Sequence, residues 1–193
     1  MNEEGLIERV RENPWFFVAM RGIASEAVCL AAMRRDGRML KYVKNQTEEI
    51  CLEAVRQNGR ALEYVKDKTE ETCLEALREN GDAIQYIDDQ TEELCLIAVR
   101  QRGLSLRHIK NQTDKICLEA VRQNGWALFF AKDQSMELCF ESVTNPRYGF
   151  NECNYHMNDE NRLEGIRDLD MKEICRKYMR EGDRFMKTKS AKR

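Results

Sequence analysis

Residues 45–65 read NQTEEICLEAVRQNGRALEYV, and the chain repeats this phrase with small changes at a fixed step. Cys29, Cys51, Cys73, Cys95, Cys117 and Cys139 mark the step on one side; Gly37, Gly59, Gly81, Gly103 and Gly125 mark it on the other. A constant period of this length is the signature of a stacked array, in which each unit covers the apolar face of its neighbour. The expected fold is all-α, a solenoid of 22-residue helix-turn-helix repeats with degenerate N- and C-terminal caps.

Within the phrase, Asn45 and Thr47 offer side-chain oxygens to the free N–H groups of a first turn, and Glu48 follows at the positive end of the helix dipole. Ile50, Cys51, Leu52, Ala54 and Val55 fall at about 0, 100, 200, 40 and 140 degrees on a helical wheel. That arc is wider than the stripe of a helix lying on a single core, so the first helix is contacted on several sides. Asn58-Gly59 then reads as a left-handed stop. Ala61, Leu62 and Val65 form one face of a second helix of about two turns, with Arg60, Glu63 and Lys66 outside.

The flanking chain divides by register. Residues 1–24 read as an N-terminal capping unit, with Asn13-Pro14 in place of Asn-Gly and with Trp15, Phe16 and Phe17 packing the cap. Residues 25–144 hold the tandem repeats, the last of which begins at Asp133 and breaks at Asn145-Pro146. Residues 145–169 are irregular, residues 170–186 read as a C-terminal closing helix pair, and residues 187–193, KTKSAKR, are a basic tail.

Composition bounds the function. Lys and Arg number 32 against 34 Asp and Glu, which argues against a surface built chiefly to hold nucleic acid. The N-terminal MNEEGLIERV is acidic and no apolar run approaches the ~20 residues of a membrane span, so the expectation is a cytoplasmic protein that does not engage a membrane. Six of the eight cysteines recur at one apolar position, where the residue acts as a small hydrophobe. Cys153 and His156 form a C-x-x-H pair with Cys175 further on, but the fourth ligand of a zinc site is missing from any recognisable spacing. The same pair lacks the companions of a nucleophilic site. No catalytic residue, metal or cofactor is read from the chain, and it is not expected to be an enzyme.

Outward columns change along the array. The residue after glycine runs Arg38, Arg60, Asp82, Leu104, Trp126, and the tyrosine position runs Tyr42, Tyr64, Tyr86, His108, Phe130. Trp126, Phe129 and Phe130 gather where an earlier unit carries Arg60, Glu63 and Tyr64. Two explanations are open: the aromatics are covered by the segment after residue 143, or they receive a partner. The candidate contact patch is Leu104, Arg107, His108, Trp126 and Phe129 with Tyr148, Phe150, Tyr155 and His156 from the irregular segment, Trp126 and Phe129 being the anchors.

The phrase TEEICLEAVRQNGRALEYVK closely resembles the short tandem helical repeats catalogued as domain of unknown function 4116. The likeness runs from about Ser25 to Val143, at the cap, Cys, Ala-Val, Asn-Gly and Leu-Tyr-Val positions, and fails at Asn13-Pro14, at Asn145-Pro146 and from Tyr148 to Leu169. It implies a fold and a setting in bacteria, their mobile elements or large DNA viruses, and no activity. The expected function is a non-catalytic protein-binding scaffold. The alternative is a phage- or virus-derived, anti-CRISPR-like inhibitor that blocks a host nucleoprotein defence complex, with nucleic acid or nucleoprotein as the second class of partner.

Overall fold

The computed structural model describes residues 2–20, 22–144, 166–167, 172–173 and 175–176. The chain forms two compact units, Met1–Gln101 and Arg102–Arg193. In the first lie α1 (Glu3–Glu12), α2 (Trp15–Ala19), α3 (Glu26–Arg35), η1 (Gly37–Tyr42), α4 (Glu48–Gln57), η2 (Gly59–Tyr64), α5 (Glu70–Glu79), η3 (Gly81–Tyr86) and α6 (Glu92–Gln101). In the second lie η4 (Gly103–His108), α7 (Asp114–Gln123), η5 (Gly125–Phe130) and α8 (Met136–Thr144). No strand occurs among the described residues, and helix-turn-helix pieces recur at about 22 residues.

Each repeat is a ten-residue α-helix followed by a six-residue 3₁₀ helix, η, so the expected second helix of about two turns is present and is wound more tightly than an α-helix. At three residues per turn, positions i and i+3 eclipse. Gly59, Leu62 and Val65 accordingly form one buried row, and Arg60, Glu63 and Lys66 form the exposed one. Ten α residues rise about 15 Å and six 3₁₀ residues about 12 Å, so the two arms of the hairpin match in length.

The turn between them is also not the left-handed stop that Asn-Gly suggested. Asn58 is extended, at φ −153° and ψ 106°, and its Oδ1 accepts from the Arg60 N–H at 3.0 Å, capping the 3₁₀ helix. Asn80 and Asn124 do the same for Asp82 and Trp126. Among the described glycines only Gly22 has positive φ, at 89°. Gly59 is needed for space instead: a Cβ there would lie 2.5 Å from the Ala76 carbonyl oxygen of the next repeat.

The α-helices are capped by threonine. Thr47, Thr69, Thr91 and Thr113 each accept from the backbone N–H three residues on. Packing then runs from repeat to repeat: α1 on α3, α3 on α4, α4 on α5 and α5 on α6 in the first unit, and α7 on α8 and η4 on η5 in the second. Cys29, Cys51, Cys73, Cys95, Cys117 and Cys139 are all buried and unbonded to one another. Burial pushes the thiols of the first five above their ordinary range, so they remain protonated at neutral pH.

A glutamine clamp stitches neighbouring repeats, and the sequence reading missed it. Gln46 donates from Nε2 to the Tyr64 carbonyl at 2.9 Å and accepts from the Lys66 N–H at 3.0 Å. Gln112 repeats this with Phe130 and Lys132. A second column serves the glycines: Gln57, Gln101 and Gln123 accept from the N–H groups of Gly37, Gly81 and Gly103.

The N-terminal unit keeps the repeat pattern more closely than its sequence suggests. Glu3 opens α1 and Glu26 opens α3, one repeat step and a single residue apart, and Asn13 accepts from the Trp15 N–H at 3.0 Å as Asn58 does from Arg60. Trp15 thereby takes the outward position after the glycine site, and it is 60% exposed. The expected packing of the cap by Trp15 is overturned. Phe17 fills the core, while Phe16 lies half-buried with the Arg9 guanidinium 5.1 Å from its ring centre.

Register also returns after the break at residue 145. The Arg167 N–H donates to Gln134 Oε1 at 2.9 Å, as Lys66 does to Gln46 and Lys132 to Gln112. Its guanidinium donates to the carbonyls of Ala131 and Lys132, as the ammonium groups of Lys66 and Lys132 do to those of Lys44 and Lys110. Ile166 is buried at the place of Val65 and Ala131. The clamp spans 20 residues in the regular repeats and 33 here, so the difference is inserted chain.

Candidate interaction surface

In a 3₁₀ helix that begins at glycine, the residues one, four and five places on lie off the buried row. In η4 these are Leu104, Arg107 and His108; in η5 they are Trp126, Phe129 and Phe130. Gly103, Ser105, Leu106 and Ile109 point inward in the first, and Gly125, Ala127, Leu128 and Ala131 in the second. The expected patch residues from these two helices are therefore brought to one side of the second unit, because η4 packs against η5.

Their exposure differs. Phe129 is 42% exposed and Phe130 38%, while Trp126, Leu104 and His108 are half-buried and Arg107 is exposed. The Trp126 and Phe129 rings stack with centroids 5.1 Å apart and planes 27° from parallel. The three-residue spacing of a 3₁₀ helix places them one above the other. Arg107 donates from Nε to His108 Nε2 at 2.9 Å. Phe130, grouped with Trp126 and Phe129 in the sequence but left out of the candidate patch, stands exposed beside them. Tyr148, Phe150, Tyr155 and His156, like Cys153, lie outside the described residues.

The charge on these two segments is one-sided. Residues 102–112 and 124–132 carry Arg102, Arg107, Lys110 and Lys132 and no carboxylate. Asp133 follows directly, at the repeat position of Asp67 and Asp89 in the first unit. The stretches of the first unit that match 124–132, residues 36–44, 58–66 and 80–88, are mixed: Asp36, Glu63, Asp82 and Asp88 stand among Arg38, Lys41, Lys44, Arg60 and Lys66. The Lys132 ammonium donates to the Lys110 carbonyl at 2.6 Å.

Two grooves open between the starts of neighbouring α-helices. One, of about 510 Å³, is lined by Lys68, Thr69, Cys73, Leu74, Ile87 and Leu94, where Lys68 replaces the clamp glutamine. The other, of about 220 Å³, lies between α7 and α8. Among the described residues no group of His, Cys, Asp and Glu is arranged to hold a metal ion, and no helix is long and apolar enough to cross a membrane.

Residues 26–68 and 69–114 each match the family model described as Domain of unknown function (DUF4116). No curated protein and no solved structure matches the chain.

Proposed function

With residues 26–68 and 69–114 belonging to the DUF4116 repeat family, we propose that this protein is a non-catalytic, cytoplasmic scaffold that binds another protein through the η4–η5 side of its second unit. One observation carries the reading: Trp126, stacked on Phe129, and Phe130 stand at repeat positions that hold Arg60, Glu63 and Tyr64 in the first unit, and the two phenylalanines face water. Exposed aromatics add nothing to the core and cost solubility, while binding energy at protein interfaces concentrates in such side chains. Repeat arrays commonly bind through extended surfaces of this kind. The buried, protonated thiols supply no nucleophile and suit a reducing compartment. The inhibitor alternative draws no support from these features.

The test compares partner capture from the native cell by the wild-type chain and by the double variant Trp126→Arg, Phe129→Glu, which installs the residues of η2. Each anchor should contribute about 2 kcal/mol, so the captured set should be lost while helicity by circular dichroism is kept. A folded double variant that captures the same partners would refute the reading. The single change Phe129→Gln, at an exposed site, serves if the double variant does not fold.

A further inference from the structure

We infer that the seam between α5 and α6 is a hinge built into the first unit. The two helices part at their amino-terminal ends, over the groove lined by Lys68, Leu74 and Leu94, and pivot at their carboxyl-terminal ends, where Gln101 holds them. Both helices lie in the first unit, so the inference does not depend on the protein-binding reading of the second.

The other seams of the repeats in this unit are tied along their length. Across α4 and α5, Gln46 bonds the Tyr64 carbonyl and the Lys66 N–H, the Lys66 ammonium reaches the Lys44 carbonyl at 2.7 Å, and Arg56 pairs with Glu75 at 3.1 Å. Across α3 and α4, Ala24 stands at the glutamine position, but the Thr47 hydroxyl donates to Glu26 at 2.7 Å and Arg34 pairs with Glu53 at 3.3 Å. At α5 and α6 each of these devices is removed by substitution. Lys68 replaces the clamp glutamine, and an ammonium has no acceptor to offer an N–H. Asp88 replaces the lysine, and a carboxylate cannot donate to a carbonyl. Ile97 replaces the acid of the arginine rung. Among the described residues, no bond joins Lys68 or a side chain of α5 to α6.

What remains lies at the far end, where the Gly81 N–H donates to Gln101 Oε1 at 2.7 Å and Gln101 Nε2 donates to the Glu79 carbonyl at 3.1 Å. The groove over the released ends, at about 510 Å³, is more than twice the one of about 220 Å³ between α7 and α8, where Gln112 keeps its clamp. Local opening follows the least supported contacts. The rotation from one repeat to the next sets the curvature of an array, so a seam that yields at one end makes that rotation adjustable at a single place. Opening bares Cys73, a buried thiol on the wall of the groove. The Cys51 thiol, one repeat earlier, instead donates to the clamp at Gln46 Oε1, 3.8 Å away.

Alkylation of the native full chain by N-ethylmaleimide, resolved by peptide mass spectrometry, tests this. Cys73 should react at least about tenfold faster than Cys51. Lys68→Gln, which restores the clamp, should slow Cys73 about tenfold, as expected of two hydrogen bonds, and leave Cys51 unchanged. Ile97→Glu, which restores the rung from Arg78, should slow Cys73 about twofold. Lys68→Met removes the ammonium without restoring the clamp, and Cys73 should stay within about threefold of wild type. Equal alkylation of Cys73 and Cys51 in the wild-type chain would overturn the hinge. Equal slowing by Lys68→Met and Lys68→Gln would also overturn it, since the reactivity would then come from the ammonium beside the thiol. If circular dichroism shows that Lys68→Gln does not fold, Ile97→Glu decides: an unchanged Cys73 rate there overturns the inference.

Discussion

A Cβ on Gly59 would meet the Ala76 carbonyl oxygen at 2.5 Å and Asn80 just beyond, so the glycine is there because the next repeat touches its α-carbon. Gly37 and Gly103 face the carbonyls of Ala54 and Ala120 in the same way. Reading the sequence found the column of glycines but gave it the wrong cause, because a left-handed turn and a close approach both select glycine. The two causes differ in what replaces it. A left-handed site tolerates asparagine, whereas a crowded one rejects every side chain. Gly59→Ala and Gly59→Asn should therefore both destabilise the protein by about 2 kcal/mol or more, measured by urea unfolding. Gly22, at φ 89° with nothing near its missing Cβ, should lose about 1 kcal/mol with alanine and less with asparagine. Free acceptance of asparagine at Gly59 would restore the left-handed explanation.

At the scale of the element, the 3₁₀ arm was present in the letters as two rows of period three, Gly59–Leu62–Val65 and Arg60–Glu63–Lys66. It was hidden because a short apolar set at i, i+1 and i+4 also fits an α-helix. The α arm was easier to read, since its longer apolar arc is unambiguous. Its outer face carries a ladder that spacing alone did not reveal: Arg34 pairs with Glu53, Arg56 with Glu75, and Arg122 with Glu141, each pair joining one repeat to the next. Ile97 stands where the acid of the next rung from Arg78 would be, and Arg78 turns back to Glu75 at 2.6 Å. Glu75 is thus shared, and its carboxyl is held below the ordinary glutamate range, chiefly by the hydrogen bond from Arg56 and further by Arg78, against some desolvation. A depressed carboxylate stabilises the fold above the pKa of the unfolded chain, and that contribution fades as pH falls through the folded value. Arg56 and Arg78 are more than half exposed, so screening limits the effect to about 0.5 kcal/mol. Glu75→Gln should be less stable than wild type by that amount at neutral pH, and thermal melts should converge below about pH 4. A gap that persists in acid would mean that packing, not charge, makes the difference.

At the scale of the whole molecule, the chain's repeats extend past the point where the letters stop repeating. Asn145-Pro146 and the following residues conceal the register, since inserted chain defeats any search at a fixed step. The closing helix pair read at residues 170–186, most of which lies outside the described residues, hints at the return, and the bonds of Arg167 place the chain at the position of Lys66 and Lys132. Terminal repeats of an array have one neighbour fewer, and whatever closes them governs how readily they fray. Arg167 gives two charge-assisted bonds, at 2.6 and 2.7 Å, to the carbonyls of Ala131 and Lys132, directly after the aromatic η5. It therefore helps to fix the end of the helix that presents Trp126, Phe129 and Phe130. Arg167→Ala should cost about 1–2 kcal/mol of local stability, since partial exposure keeps each bond near the lower end of its range. Amide exchange across residues 128–134 should accelerate about tenfold, with the amides of α4 as an internal reference. Arg167→Lys should recover much of the loss, because the lysines at 66 and 132 perform the same task with a single ammonium at 2.7 and 2.6 Å. Unchanged exchange in Arg167→Ala would show that buried side chains such as Ile166 hold the end of η5 without the arginine, and partner capture by that variant would then match wild type.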